Sequence, residues 1–372
     1  MNKIPPFDVS QQYQQIGDRL NKAALEVLAS GQYIGGQTVN QFETEFANYI
    51  GSHHGVACNS GTDALYLAMR ALDIGEGDEV ITSPFTFFAS AETISMTGAK
   101  PVFVDIDEVY YSMNENLLEK AITSNTKAVI AVHLHGQMCE IDKIEQICNQ
   151  HGIALIEDCA QSHFSEFKGV RAGLRGIAGS FSFYPGKNLG AYGDAGCIIT
   201  NDDALAEKCR LYARHGALKK HEHQIEGINS RLDGLQAAIL TAKLPYILQW
   251  TDQRIELANT YTKYLQEIEQ IQLPSVRPNS KHTFHLYVIR AERRDELKNF
   301  LTEQGIETAI HYPRILPNLP CYKYLNYSSF DFPVSNEHQH QILSLPMYPE
   351  LGEAAIEHIA KTIAIFYANN SN

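Results

Sequence analysis

A lysine set in a glycine-rich turn behind an apolar strand is the first place in this chain where chemistry is indicated. From Ser180 to Gly196 the residues read SFSFYPGKNLGAYGDAG. Phe181 and Phe183 alternate as in a short buried strand, Pro185 and Gly186 break it, and Lys187 follows, flanked by Gly186, Gly190 and Gly193. A surface-loop lysine after a core strand is the commoner meaning of such a stretch taken alone. A lysine among glycines that let the backbone approach something closely also suits a primary amine that condenses with a carbonyl compound, above all the aldehyde of pyridoxal phosphate.

Three further stretches bear on that use. NSGTDAL, Asn59 to Leu65, follows a strand and opens a helix. Gly61 admits an anion to the backbone N–H groups, Thr62 adds a hydroxyl, and the helix dipole favours negative charge there. The same heptapeptide equally suits an ordinary cap by Ser60 or Thr62. LIEDCAQ, Leu155 to Gln161, ends another strand with Glu157, Asp158 and Gln161. A carboxylate there either caps the next segment or pairs with a protonated pyridine nitrogen, the use a pyridoxal enzyme has for Asp158, with Gln161 reaching the ring hydroxyl. Ser182 is placed for a phosphate oxygen. In TSPFTFFAS, Thr82 to Ser90, the phenylalanines are core residues by composition, though one of them can lie flat on a cofactor ring.

The elements that position these residues follow from periodicity. Ile16, Leu20, Ala24, Val27 and Leu28 mark a first amphipathic helix that stops at Gly31, and Val39, Phe42, Phe46, Tyr49 and Ile50 a second that stops at Gly51. Strands near Val56, Val80, Val102, Val129 and Ala154 then alternate with helical patterns at about 25-residue spacing, as a strand plus its crossover helix requires. An α/β fold is expected, a mostly parallel sheet sandwiched by helices, with ligands beyond the carboxyl ends of strands. Between Ala178 and Thr200 two strands stand too close for a crossover helix, so at least one is expected antiparallel, with the Lys187 turn joining them. Helices from Leu232 to Leu244 and on through Leu265, a strand at His285 to Ile289, a helix at Asp295 to Gln304, a strand at Glu307 to Ile310 and a last helix at Ala354 to Phe366 complete the expectation. Residues 1–249 read as a large domain and 250–372 as a smaller α+β domain.

Composition narrows the function classes. The 372 residues are 44% hydrophobic and 20% charged, and a formal net charge of -13 with no basic stripe excludes nucleic acid as a natural partner. The N-terminus lacks a signal-peptide core and no run approaches the roughly 18 apolar residues of a membrane span, so a cytoplasmic protein with no membrane partner is expected. The seven cysteines show no close metal-ligand pairing and read as reduced, buried thiols; no metal is expected.

With the four motifs in view, the sequence resembles the sugar aminotransferase family typified by DegT, DnrJ, EryC and StrS, of the aspartate-aminotransferase fold (fold type I). The likeness runs from GQYIGG to SLPMYPEL, nearly the whole chain, and is carried above all by GSFSFYPGKNLGAYGDAG and EDCAQSH. It implies pyridoxal 5'-phosphate as cofactor, Lys187 as its internal aldimine lysine, Asp158 as the pyridine partner and Gln161 as the contact to the ring hydroxyl. Gly61, Thr62 and Ser182 correspond to phosphate ligands and Phe87 to the stacking aromatic. The family forms homodimers with active sites at the subunit interface. In GINSRLDGLQAAIL, Asn229 matches the residue that reaches the neighbouring subunit's phosphate, while Arg231 meets either a nucleotide diphosphate or an acid across the interface.

A deoxygenating branch of the family carries histidine in place of the lysine, so Lys187 implies transamination, from L-glutamate to a keto sugar linked to a nucleotide. Tyr33, His163, Tyr184, His311 and Tyr312 lie in segments that line the sugar site in relatives, and Lys219 and Lys220 offer positive charge to a diphosphate. TAIHYPRILPNLPCYKYL resembles members acting at C-3. The leading substrate is a dTDP-3-keto-6-deoxyhexose. The alternatives are a UDP-linked 3-keto or 4-keto amino sugar, a keto-cyclitol, and, from a different class, a pyridoxal-binding regulator without turnover.

Overall fold

The computed structural model describes residues 3–368; residues 1–2 and 369–372, which close the two expected domain ranges, lie outside the described residues. Helices α1 (Ser10–Ser30) and α2 (Gly36–Ile50) end at Gly31 and Gly51, both in the left-handed region as the sequence stops require. Then come β1 (His54–Cys58), α3 (Gly61–Ala71), β2 (Glu79–Thr82), α4 (Ala89–Thr97), β3 (Lys100–Phe103), α5 (Glu115–Ala121), β4 (Thr126–Val132), α6 (Ile141–His151) and β5 (Ala154–Asp158). The short β6 (Glu166–Phe167) and β7 (Val170–Arg171) precede β8 (Ala178–Ser182) and β9 (Gly196–Thr200). After α7 (Asp203–Ala213), α8 (Gly234–Lys243) and α9 (Ile247–Leu265) the chain forms β10 (Ile271–Gln272), β11 (Ser280–Lys281), β12 (Tyr287–Ala291), α10 (Arg294–Glu303), α11 (Pro333–His338), β13 (Ile342–Leu345) and α12 (Glu353–Ala368).

Seven strands form the main sheet in the order β1-β9-β8-β5-β4-β2-β3. The β2–β3, β2–β4, β4–β5 and β5–β8 pairs are parallel, and β9 runs antiparallel to both β8 and β1. The expected reversal is therefore at β8–β9, whose connection is too short for a crossover helix. Both faces are covered. Along β4, Val129 and Ala131 enter one core with Phe42, Phe46, Phe181 and Phe183, while Ala128 and Ile130 enter another with Leu67 and Met69. Phe181 and Phe183 each meet Phe46 edge-on, ring centroids 5.1 Å apart, and this anchors the strand that delivers the lysine turn.

A third core joins α9, α10 and α12 to the antiparallel sheet β10-β12-β13. Helix α9 places Trp250 in the first core and Leu257, Ala258, Tyr261 and Leu265 in the third, so the expected boundary near 250 falls inside one continuous helix. The strand expected at Glu307 to Ile310 is absent. Ile306 bridges to Ile4 and Ala309 to Ser344, so the run divides its pairing between two neighbours and neither ladder extends. The four-residue β13, not expected from sequence, takes the place beside β12 instead. All seven cysteines are free, six of them buried. No helix among the described residues is long and apolar enough to cross a membrane.

Candidate active site

The carboxyl ends of β5 and β8 and the N-terminus of α3 converge on a cavity of about 600 Å³. Gly61, Thr62, Ser182, Asp158, Gln161 and Lys187 all line it. Ser60 caps α3, its hydroxyl accepting the Asp63 N–H at 3.1 Å. That settles the cap without consuming the rest of the motif, because the first-turn N–H groups of Gly61 and Thr62 have no intrahelical acceptor. A Cβ on Gly61 would lie 2.5 Å from the Ser182 Cβ, so only glycine lets the helix start meet the strand end. Orphan N–H groups, a hydroxyl from Ser182 and the positive end of a helix dipole together make an anion cradle.

Asp158 is buried at the end of β5. Its Oδ2 accepts the Ser90 hydroxyl at 2.8 Å and its Oδ1 the Ala160 N–H at 3.1 Å. Burial raises its pKa above the usual carboxylate value, against those hydrogen bonds and the charge of Lys187. Gln161 is fixed from both ends, Oε1 accepting the His135 N–H at 2.7 Å and Nε2 donating to the Tyr312 hydroxyl at 3.0 Å. Tyr312 in turn leans on Phe87, ring centroids 5.7 Å apart, and the Phe87 ring is otherwise 53% exposed at the cavity wall.

Lys187 sits half-buried in the turn between β8 and β9, its N–H donating to Tyr184 O at 2.8 Å. Burial lowers its ammonium to about 8, with Asp158 opposing the shift. A Cβ on Gly190 would stand 2.3 Å from Pro185 O, so of the three flanking glycines this one closes the turn; Gly186 meets nothing nearer than 3.8 Å. Two imidazoles share the cavity. His311, hydrogen-bonded through Nδ1 to Ser344 Oγ at 2.8 Å, is lowered to about 4 by burial and then by Lys187. His285, whose Nδ1 pairs with Asn188 Oδ1 at 3.1 Å, is held well below the ordinary histidine value by the same two causes.

The remaining expected residues divide. Tyr184 lines the cavity. His163 does not: it is fully buried, with ring centroids 5.4 Å from Phe181 and 5.6 Å from Phe183, because it packs against the two phenylalanines that face the first core. Tyr33, Asn229, Arg231, Lys219 and Lys220 are exposed and lie off the cavity of their own chain. Tyr33 is nonetheless tied to the Arg231 segment, since the Gly234 N–H donates to Tyr33 O at 2.7 Å and Ile34 bridges to Asp233. Ser230, beside Asn229, donates to Asp63 at 2.6 Å and accepts the Asn59 N–H at 3.2 Å, which fastens that segment to the start of α3.

Sequence reasoning assigned no role to Ser90, His285, Phe7 or Asp194, which reach the cavity or its carboxylate only through the fold. The buried trio His133, Glu157 and Cys159 has metal-ligand types within 4.8 Å. Its donor atoms are committed: Cys139 N–H donates to His133 Nδ1, His133 Nε2 pairs with Glu157 at 2.8 Å, and Glu157 also accepts the N–H groups of Gly173, Arg175 and Gly176.

Comparison with known proteins places the chain. It is 45% identical to a pleiotropic regulatory protein of Geobacillus stearothermophilus over 98% of both chains. It is 40% identical to the dTDP-3-amino-3,4,6-trideoxy-alpha-D-glucose transaminase of Streptomyces venezuelae, over 94% of this chain and 92% of that one. Relatives of the same 40% identity are named as aminotransferases of UDP-linked sugars. The crystal structure of S. venezuelae DesV in complex with a ketimine intermediate superposes with a TM-score of 0.96 at 38% identity, over 98% of this chain and 99% of that one. Residues 14–364 match a single family description from end to end, and the chain belongs to the DegT/DnrJ/EryC1/StrS aminotransferase family.

Proposed function

We propose that this chain binds pyridoxal phosphate and transfers an amino group from L-glutamate to a keto sugar carried on a nucleotide, with dTDP-3-keto-6-deoxyhexose as the leading substrate. The observation that carries the reading is the meeting, in one cavity, of an amine of depressed basicity at Lys187, a buried carboxylate at Asp158 and the Gly61–Ser182 anion cradle. These three fit the three recognisable parts of the cofactor: aldehyde, ring nitrogen and phosphate. Gly61, Thr62 and Ser182 hold the phosphate, Gln161 the ring hydroxyl, and Phe87 one ring face.

When bound, the cofactor supplies an electron sink and carries the amino group between the two substrates. Lys187 Nζ, lowered to about 8, is able near neutral pH to take a proton from a carbon acid and return it elsewhere. Asp158, oriented by Ser90, is the carboxylate that would pair with the ring nitrogen and keep it protonated. Gln161 and Tyr312 keep the cavity wall in place, while neutral His311 and His285 offer hydrogen bonds without adding charge beside the amine.

Among the described residues no lysine or arginine other than Lys187 lines the cavity, although both L-glutamate and a diphosphate are anionic. This supports a homodimer in which Asn229, Arg231, Lys219 and Tyr33 serve the neighbouring site. The dTDP transaminase of S. venezuelae supports a dTDP sugar aminated at C-3, and the UDP-sugar relatives support the alternative. The regulatory name of the Geobacillus relative keeps a binding role without turnover as the second reading. Adding L-glutamate to the holoprotein is expected to bleach the visible absorbance of the lysine-bound cofactor, and no change with any amino donor would favour the regulator. Thermal shift with dTDP against UDP distinguishes the nucleotides, and no shift with either favours a keto-cyclitol.

A further inference from the structure

Asn188, the residue after Lys187, is 2% exposed, and its amide meets the segment ahead of β12. Its Nδ2 donates to Thr283 O at 3.2 Å, and its Oδ1 lies 3.1 Å from His285 Nδ1. A backbone carbonyl can only accept, so Thr283 O fixes which end of the amide is nitrogen. The oxygen left facing His285 can itself only accept, and His285 Nδ1 therefore carries a proton. Because burial and the charge of Lys187 keep the imidazole neutral, its Nε2 carries a lone pair.

The backbone around this ring is held on both sides. Arg254 Nη1 donates to Phe284 O at 3.3 Å and His285 O at 3.5 Å, the Thr283 N–H to Gly136 O at 2.9 Å, and the Leu286 N–H to His135 O at 3.2 Å. Nε2 of the half-buried His285 has no hydrogen-bond partner among the described residues, yet it is not one of the atoms that the interior seals off. It opens on the cavity that His285 lines. His311 differs, since its Nδ1 faces the Ser344 hydroxyl, which can donate or accept and so imposes neither tautomer.

A fixed acceptor tells the two substrates of the proposed reaction apart. L-Glutamate brings two carboxylates, which are themselves acceptors and repel a lone pair, and its amino group is the one handed to the cofactor. A keto sugar brings hydroxyls, each able to donate. We propose that His285 is a specificity-determining residue whose Nε2 accepts a hydrogen bond from a hydroxyl of the sugar, and that Asn188 is the positioning residue that keeps the lone pair there. The choice of a sugar hydroxyl rests on the aminotransferase reading; the tautomer does not.

Nitrogen NMR of the holoprotein with labelled histidine reads the tautomer, the His285 signals being those lost in His285→Asn. Nδ1 should be protonated and Nε2 not, and Asn188→Leu, which leaves Nδ1 without its acceptor, should move proton population to Nε2. Single-turnover absorbance reads the function: the lysine-bound cofactor is mixed either with L-glutamate or with a nucleotide-linked amino sugar, which runs the amination in reverse. The amino sugars used are a dTDP-3-amino-3,6-dideoxyhexose and a UDP-linked 3-amino sugar. His285→Asn keeps a donor for Asn188 but has no atom in place of Nε2. It should lower kcat/KM for the amino sugar relative to that for L-glutamate about tenfold, the loss expected for one hydrogen bond, and Asn188→Leu should shift the ratio in the same direction. A protonated Nε2 in the wild type, a tautomer unmoved in Asn188→Leu, or an unaltered ratio in His285→Asn would each overturn the proposal. So would a wild-type protein that reacts with L-glutamate but with neither amino sugar. Should His285→Asn not fold, His285→Gln supplies the assignment and Asn188→Leu the ratio. A wild type inert toward L-glutamate and both amino sugars would sink the aminotransferase reading and the sugar contact with it, while the NMR comparison still decides whether Asn188 sets the His285 tautomer.

Discussion

Gly61 and Ser182 stand so close that a Cβ added to the first would lie 2.5 Å from the Cβ of the second. The near contact joins the start of α3 to the end of β8 and so places helix N–H groups and a strand hydroxyl around one point. Gly61→Ala must push these elements apart, a small-to-large change that costs about 1–3 kcal/mol. Expressed in the cradle, this weakens pyridoxal phosphate binding by roughly ten- to a hundredfold. Titration of the cofactor-free variant, followed by visible absorbance, measures it; wild-type affinity would show that the cradle is not the phosphate site.

Lys187→Ala removes the only lysine that lines the cavity among the described residues. Turnover should fall by about 10³ or more, since both covalent attachment and proton transfer are lost. The fold should survive, because the Lys187 side chain makes no hydrogen bond among the described residues. Steady-state rates with L-glutamate and circular dichroism check the two halves, and full activity would withdraw the assignment.

Asp158→Asn should separate stability from activity. Burial raises the Asp158 pKa in the folded chain, so folded protein binds its proton more tightly than unfolded. The contribution of this group to stability is therefore fully present below its unfolded value and is lost as pH rises through the folded value. At neutral pH the ionised group costs stability, and the neutral amide removes that cost. The cofactor-free variant is expected to melt higher than wild type at pH 7, while turnover falls about a hundredfold or more as the ring nitrogen loses its counter-charge. A lower Tm in the cofactor-free variant would contradict the sign.

Because the Lys187 amine is lowered to about 8, cofactor-free protein should take up pyridoxal phosphate with a rate that rises through a midpoint near pH 8, well below the lysine model value of 10.5. The same shift has a stability sign. A folded pKa below the unfolded one gives a contribution present above the unfolded value and lost as pH falls through about 8. Stopped-flow absorbance across pH 6 to 11 reads the first, and a midpoint near 10.5 would mean that the amine is solvated.

Asn229 and Lys187 should complement across chains. Lys187→Ala and Asn229→Ala protomers, each inactive or weak alone, are expected to regain part of the activity when mixed, since one site of a mixed dimer then carries both native residues. No recovery on mixing would place Asn229 in the service of its own chain, where Ser230 already fastens the segment to the start of α3.

Much of this architecture was legible before folding because it is written in local rules. Strand-to-helix spacing announced the parallel sheet, and the short gap between β8 and β9 announced the reversal at which Lys187 lies. Gly31 and Gly51 announced the helix ends through their left-handed conformation. Two-residue strands such as β10 and β11, and the four-residue β13, gave no such signal, since their pairing partners are distant and their own periodicity is too brief to register. Glu307 to Ile310 had the composition of a strand, but the pairing around it is split between Ile4 and Ser344, so that no one ladder extends.

The site divides along the same line. Lys187, Asp158, Gln161 and Ser182 stand at the ends of strands, where chain direction alone sends them to the carboxyl edge of the sheet, and their residue types named the chemistry. Contacts between residues far apart in sequence had no such marker. That Ser90 would steer Asp158, that His285 would enter the cavity while His163 was walled in by Phe181 and Phe183, and that Gly61 had to lack a side chain were settled by which surfaces packed together. A periodic pattern records how a segment faces its core; it carries no record of which other segment will be waiting there.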